Sequence, residues 1–204
     1  MNCSAVKYPS PVRYCFPVKC AVLACWALVL QAAPAGPAAA PEPGSWQKHA
    51  YSFAFMGFTS TYSCDGLADK LRLLLVAAGA RADVKVRPGG CAGFGRPDEF
   101  SRADLTFYTL SPAGADASAT DGAAGVWRSV QISDRSPRGV ATGDCELVDQ
   151  FRHEVLPMFT TRHIDARITC IPNEVSGSLV DLRFESFAAV PQKAVPPDRS
   201  GGTR

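Results

Sequence analysis

Two cysteines of this sequence stand where thiol chemistry is possible. Cys64 and Cys145 each begin a predicted amphipathic helix, and a helix N-terminus lowers the pKa of a thiol enough to make it a nucleophile or a redox group. No Cys-x-x-Cys pair accompanies them, and each is followed, after a predicted strand, by a further cysteine, Cys91 or Cys170. The pattern therefore favours structural disulfides over redox chemistry.

The most distinctive loop runs from Arg87 to Arg96 and could bind an anion. Its glycines, among them Gly89 and Gly90, could expose backbone N–H groups to a ligand, and the arginine at each end would supply positive charge. The segment lacks the Gly-x-x-x-x-Gly-Lys-Ser/Thr arrangement of a phosphate-binding loop and does not lead directly into a helix. Arg87, Gly89, Gly90 and Arg96 are therefore the candidate ligand-binding residues, and a disulfide-anchored turn explains the glycines equally well.

Residues suited to metal binding or acid–base chemistry are few. His153-Glu154 is half of a His-Glu-x-x-His zinc motif, but position 157 is proline. Acidic residues cluster at the predicted helix starts, where capping and the helix dipole account for them, and no Gly-x-Ser-x-Gly segment would seat a nucleophilic serine. We assign no catalytic residue, cofactor or metal ligand, and keep a metal site at His153 or His163 with carboxylates as a separate hypothesis.

The strands that must position these residues follow from hydrophobic alternation. The first, at 51–59, is aromatic-rich and apolar on both alternate sets of side chains, which predicts a central strand covered at least in part on both faces. Pro88 and the two glycines after it should end the next strand, and the Ala- and Gly-rich span 111–125 is predicted to be an exposed loop. The other predicted strands are 83–87, 105–110, 126–132, 164–170 and 179–187.

Two helices are predicted from periodic apolar positions. The first covers 65–78, with Gly79 placed as its C-cap, and one stripe of it holds Leu67, Leu71, Leu74, Leu75 and Ala78. The second is capped by Asp144, and Pro157 should end or kink it. Its stripe holds Leu147, Phe151, Val155, Met158 and Phe159.

Both halves of the chain therefore read strand, helix, strand, strand. Cys145 lies 81 residues after Cys64, and Cys170 lies 79 residues after Cys91. We predict a single α+β domain at 41–190, with a mostly antiparallel sheet and two helices on one face, either ferredoxin-like or a duplicated βαββ unit with pseudo-repeats at 46–112 and 124–190. In a right-handed βαβ unit the helix N-terminus lies near the C-terminal ends of both flanking strands. This geometry favours the pairs Cys64–Cys91 and Cys145–Cys170 over the two other connectivities.

The first 40 residues differ from the rest. They hold three basic residues and no acidic one, followed by the apolar run 21–30 and small residues, which is typical of a signal peptide and its spacer; an uncleaved anchor and a lipoprotein signal are the alternatives. The run is too short for a bilayer span, so we expect no transmembrane segment in the mature chain. Without these residues, the chain holds 18 Lys and Arg residues and 19 Asp and Glu residues, and this near-neutral charge gives no support to nucleic-acid binding.

From 191 onward we expect a disordered tail.

Cys64 to Leu67 (CDGL) and Gly143 to Val148 (GDCELV) resemble segments of small uncharacterised exported proteins of proteobacteria. The resemblance implies export and no particular activity, and four cysteines in an exported chain suit two disulfides in the periplasm or outside the cell. The sequence leaves the function open and favours a non-enzymatic module that binds a protein, an envelope component or a small ligand through its sheet or through the loop from Arg87 to Arg96. The alternative is a hydrolase or transferase with an unfamiliar site.

Overall fold

The computed structural model describes residues 40–89, 100–113 and 122–190. The described part of the chain forms one six-stranded sheet with two helices, which confirms the predicted α+β class. Helix α1 follows the first strand, and helix α2 follows the fourth. The strands are β1 (Glu42–Ala54), β2 (Lys85–Gly89), β3 (Arg102–Pro112), β4 (Gly122–Ser133), β5 (Thr161–Ile171) and β6 (Glu174–Ala189), and the helices are α1 (Cys64–Ala78) and α2 (Cys145–Glu154).

The strand order is β2-β3-β1-β4-β6-β5, and every neighbouring pair is antiparallel. In the first half, β3 lies between β1 and β2, and in the second half, β6 lies between β4 and β5. The two halves therefore have the same connectivity. They pair directly along β1 and β4, from Glu42 opposite Gly125 to Ser45 opposite Gly122. Three strands separate the two helices, which differs from the β-α-β-β-α-β order of a ferredoxin-like fold; that assignment is not confirmed.

Two glycines allow close packing where the halves meet. A Cβ on Gly44 would lie 2.8 Å from Leu110 Cγ and 2.9 Å from a ring atom of Phe187. A Cβ on Gly125 would meet the same two side chains, 2.7 Å from Leu110 Cδ2. Both Leu110 and Phe187 are buried. The junction therefore needs glycine at both positions.

Helix α1 matches its predicted stripe. Ser63 caps its start by accepting a hydrogen bond from the Gly66 N–H at 3.1 Å, and Gly79 ends it in the left-handed conformation at φ 105°. All five stripe residues, Leu67, Leu71, Leu74, Leu75 and Ala78, are buried in the core between helices and sheet. The predicted helix over 65–78 is confirmed with one added residue at its start.

Helix α2 packs into the same core, and its end reaches the first half of the sheet. The helix stops at Glu154, and Pro157 lies in the 3-10 turn Leu156–Met158 that follows, as predicted. Beyond it the Phe159 ring stacks on the Phe107 ring of β3, with centroids 5.6 Å apart. The Tyr51 hydroxyl of β1 donates to Glu154 at 3.0 Å. Each half thus depends on the other to cover its inner face.

Within the described residues, one of the two predicted disulfides is present. Cys145 bonds to Cys170, which ties the start of α2 to β5. Cys64 is also disulfide-bonded, but Cys91 lies outside the described residues, so the pair Cys64–Cys91 stays a prediction. The predicted signal peptide and the C-terminal tail also lie outside them.

Several strand boundaries differ from the prediction. Strand β1 begins at Glu42, nine residues before the predicted start at 51, and ends at Ala54 rather than at 59. Its outward residues Ala50, Ser52 and Ala54 are exposed, so it is not covered on both faces. Strand β2 continues through Pro88, which is tolerated because β2 is an edge strand. The predicted loop 111–125 is wrong at both ends, where β3 and β4 extend into it. No helix within the described ranges is long and apolar enough to cross a membrane.

Candidate functional site

The outer face of the first three strands carries four exposed cations. Along each strand the inward residues join the core, so alternate residues point outward. Arg87 is paired opposite Asp104 on β3, Lys85 opposite Thr106, and Gly89 opposite Arg102. Lys48 of β1 is opposite Tyr108 of β3. We call Lys48, Lys85, Arg87 and Arg102 the basic face.

The four cations of the basic face are not neutralised by direct contacts in the described part of the chain, although Lys85 lies close enough to Asp83 to help lower the pKa of that carboxyl. None of them makes a side-chain hydrogen bond or an ion pair there, and all four are exposed. Asp104 lies among them but is in no ion pair with Arg87, which is opposite it. The face therefore keeps an excess of positive charge that is not engaged in ion pairs and can attract an anion.

The corresponding face of the second half is neutralised. Arg162 Nε lies 2.5 Å from Glu185, and Arg183 lies 3.0 Å from Asp181. Arg167 lies 3.6 Å from an Asp165 carboxylate oxygen. The hydrogen bond from Arg162 lowers the pKa of Glu185, and the bonds from Gln131 and Arg183 lower that of Asp181. Two faces with the same connectivity thus differ in whether their cations are paired.

Arg81 borders the basic face but is already paired. Its guanidinium donates two hydrogen bonds to Asp83, at 2.8 and 2.7 Å, which lower the pKa of that carboxyl. The same group lies 3.7 Å from the centre of the Tyr108 ring and 5.4 Å from that of Trp46. Tyr108 is therefore covered by a cation and does not offer an open stacking surface.

The predicted ligand-binding residues are placed differently from the expectation. Arg87 is exposed on β2 as part of the basic face, but Gly89 is a paired strand residue rather than a loop residue. A Cβ on Gly89 would come no closer than 3.8 Å to any neighbour, so the backbone does not require glycine there. Gly90 and Arg96 lie outside the described residues.

An anion nest does exist, but a side chain of the protein fills it. The backbone N–H groups of Phe58 and Thr59 donate to the Glu146 carboxylate at 3.1 Å, and that of Ser60 donates at 3.4 Å. One turn later on α2, Gln150 exchanges hydrogen bonds with the backbone of Met56, at 3.1 and 2.6 Å. The loop after β1 is thereby clamped to α2.

A buried carboxylate joins the two helix starts. Asp144 accepts hydrogen bonds from the Tyr62 hydroxyl at 2.6 Å, from the Ala141 N–H at 2.7 Å and from Lys70 at 2.5 Å. It makes no side-chain cap to α2, contrary to the prediction, because these three donors occupy it. Burial, and then Asp144 itself, raise the pKa of Tyr62 above its usual range.

The described grooves do not assemble a catalytic site. The larger, of about 810 Å³, is lined by small residues and by Trp46, Arg81 and Arg128, with no acid, histidine or cysteine among them. The smaller, of about 560 Å³, includes Ser129, His163 and Glu185. His163 lies 3.5 Å from Glu185, but its side chain is 72% exposed and no hydrogen bond links it to Ser129. Neither groove combines an activated nucleophile with exclusion of water.

Metal binding gains no support from this geometry. His153 pairs with Asp149 at 3.7 Å and His163 with Glu185 at 3.5 Å, each on the surface. The described residues contain no group of three or more His, Cys, Asp or Glu side chains that could hold a metal ion.

Sequence reasoning identified Arg87 but missed Lys48, Lys85 and Arg102. The alternation of Asp83 to Arg87 places Lys85 on the same side of a strand as Arg87. This signal in the sequence could have identified Lys85. Lys48 and Arg102 join them only through the pairing with β3, which the sequence does not specify. Protein-family models, curated proteins and solved structures give no match to this chain.

Proposed function

We propose that this protein is an exported, non-enzymatic module that binds the anionic groups of an envelope component through its basic face. The observation that carries the proposal is the contrast between the two outer faces. Arg162, Arg167 and Arg183 each form an ion pair with a carboxylate, whereas no cation of the basic face forms an ion pair with a described residue. Unpaired surface cations create a local positive potential that attracts phosphate or carboxylate groups. The disulfide Cys145–Cys170 suits an oxidising compartment.

We also propose that the two halves descend from one βαββ unit, which makes the second half a reference for the first. Several residues recur 81 positions apart with the same role. One arginine covers one tryptophan in each half: Arg81 lies over Trp46, and Arg162 lies over Trp127 at 4.0 Å. The other recurring pairs are Gly44 with Gly125 and Cys64 with Cys145. The two halves share these features, and they differ in that the outward cations of the first half form no ion pairs whereas those of the second half do.

An anionic glycan, lipid or acidic protein fits this face better than a nucleic acid. Single strands bind where bases can stack on aromatic side chains between the cations, and within the basic face the Tyr108 ring is covered by Arg81; the exposed rings of Phe58 and Phe100 lie beyond the end of that face. The enzyme alternative finds no converging site in the described grooves.

The proposal is tested with soluble inorganic polyphosphate as the anionic probe. We expect Arg87→Gln with Arg102→Gln to lower the affinity at least about tenfold, since each cation near an anionic surface contributes about 1 kcal/mol and 1.4 kcal/mol corresponds to a factor of ten. Titration calorimetry at low ionic strength measures the affinity. The matched control is Arg167→Gln with Arg183→Gln, which removes the same charge from the neutralised face and should change the affinity less than about twofold.

Two results would contradict the proposal. One is an absence of polyphosphate binding by the wild type at low ionic strength. The other is an equal loss of affinity in both double variants, which would make the binding a matter of net charge rather than of this face.

A further inference from the structure

Two large apolar side chains are exposed just beyond the end of β1. Met56 is 60% and Phe58 is 75% exposed. Their backbone is held by Gln150 and Glu146 of α2, so the loop has its backbone hydrogen bonds satisfied while these side chains face solvent. Scattered exposed apolar residues are common, but a cluster held out in this way marks an interaction surface.

This apolar end is continuous with the basic face. The β1–β3 pairing extends one step past Ala54, where the Phe55 N–H donates to the Ser101 carbonyl at 2.8 Å. Phe55 is buried and Met56 is exposed, so the alternation of β1 continues past its last residue and puts Met56 on the same side as Ala54, about 7 Å from it. Ala54 is opposite Arg102. Phe100, two residues before Arg102, is 62% exposed at the same end.

We infer that this end of the molecule docks on an anionic lipid surface, with Met56 and Phe58 entering the headgroup region and Arg87 and Arg102 contacting the lipid phosphates. Peripheral proteins bind bilayers through this combination of exposed apolar side chains and adjacent cations. The inference rests on the proposed function, because it uses the cations of the basic face, and it adds the partner.

The apolar residues decide between a lipid surface and a soluble polyanion. A soluble polyanion would neutralise Arg87 and Arg102 but would leave Met56 and Phe58 in water. An anionic bilayer can bind the two cations through its phosphates and can take up the two apolar side chains without a matching pocket. Neither of the two grooves described above includes Met56 or Phe58.

The test measures sedimentation with vesicles of phosphatidylcholine alone or mixed with phosphatidylglycerol. It uses residues 38–204, a compact unit that contains the whole described core and lacks the apolar run 21–30. We expect binding to the mixed vesicles that weakens with added salt and little binding to phosphatidylcholine alone. Met56→Ser with Phe58→Ser should lower vesicle affinity at least tenfold and leave polyphosphate affinity unchanged.

Ile164→Ser is the matched control, because Ile164 is 52% exposed and lies on the edge strand β5 of the second half; it should bind vesicles as the wild type does. Polyphosphate binding without vesicle binding would overturn the lipid inference and leave the proposed function standing. Binding to neither probe would overturn both. Equal vesicle binding by the wild type and the Met56/Phe58 variant would contradict the inference, because it would show that Met56 and Phe58 do not enter the headgroup region.

Discussion

Asp144 illustrates how far a single residue can be read from the sequence. Its type and position before an amphipathic run predict a helix cap, and the helix does begin at the next residue. Its carboxylate instead binds Tyr62 and Lys70, which lie 82 and 74 residues away in sequence. The local pattern predicted the helix start, whereas the partners depend on how α1 and the residues before it pack against the start of α2, which no local pattern encodes.

The contact between Tyr62 and Asp144 predicts a loss of stability in alkaline solution. Because the pKa of Tyr62 is raised in the folded protein above its ordinary value of 10.0, the folded state holds more protons than the unfolded state above that pH. The contribution of Tyr62 to the free energy of unfolding should therefore be complete below pH 10 and should decrease as the pH rises above 10. Tyr62→Phe removes this dependence, at a cost of about 1 kcal/mol at neutral pH for the lost hydrogen bond.

Urea unfolding of both proteins between about pH 8 and 11 measures the difference. Tyr51, whose pKa is also raised by burial and by Glu154, is present in both and cancels in the comparison. Parallel pH profiles for the wild type and Tyr62→Phe would show that Tyr62 is not the group responsible.

At the scale of elements, the periodic spacing of apolar residues predicted the buried face of α1 correctly, whereas amino-acid composition did not predict the strands correctly. The stripe of α1 is buried at every predicted position. The strands were misjudged where small residues form them: Gly122 and Gly125 read as loop but pair with β1 at the junction, where a side chain would not fit at Gly125. The aromatic run 51–59 was predicted as one covered strand, yet Phe58 is exposed, so apolar composition did not mean burial.

The disulfide between α2 and β5 predicts a measurable contribution to stability. Cys145 and Cys170 are 25 residues apart, and closing a loop of this size stabilises the folded state by roughly 3 kcal/mol in the chain-entropy estimate. Replacing both residues with alanine should lower the free energy of unfolding by about that amount under oxidising conditions, as measured by urea denaturation. A double variant as stable as the wild type would show that the bridge is not structural.

At the scale of the whole molecule, the connectivity of the halves was predictable and their arrangement was not. The recurrence of cysteines and helices indicated two similar βαββ units. Nothing in the pattern specified that β1 would lie beside β4, or that the end of α2 would pack on Phe107 of the first half. The basic face was missed for the same reason, since it depends on β2 and β3 pairing.

The junction predicts a sharp difference between two glycines of β4. Gly125→Ala would bring a Cβ to 2.7 Å from Leu110 and into the ring of Phe187, and such overpacking costs about 1–3 kcal/mol. Gly122→Ala, three residues earlier on the same strand, meets nothing closer than 3.7 Å and should change stability by less than about 0.5 kcal/mol. Urea midpoints of the two variants make the comparison, and equal effects would show that the halves are not held together by this contact.

The packing of Phe159 on Phe107 also bears on how the chain is made. Phe159 leaves the ribosome 52 residues after Phe107, so the first half is synthesised with its inner aromatic surface uncovered. Domains usually fold from the N-terminus as they emerge, but here part of the cover of the first half belongs to the second half. We therefore expect the first half not to reach its final packing until α2 and the residues after it are present.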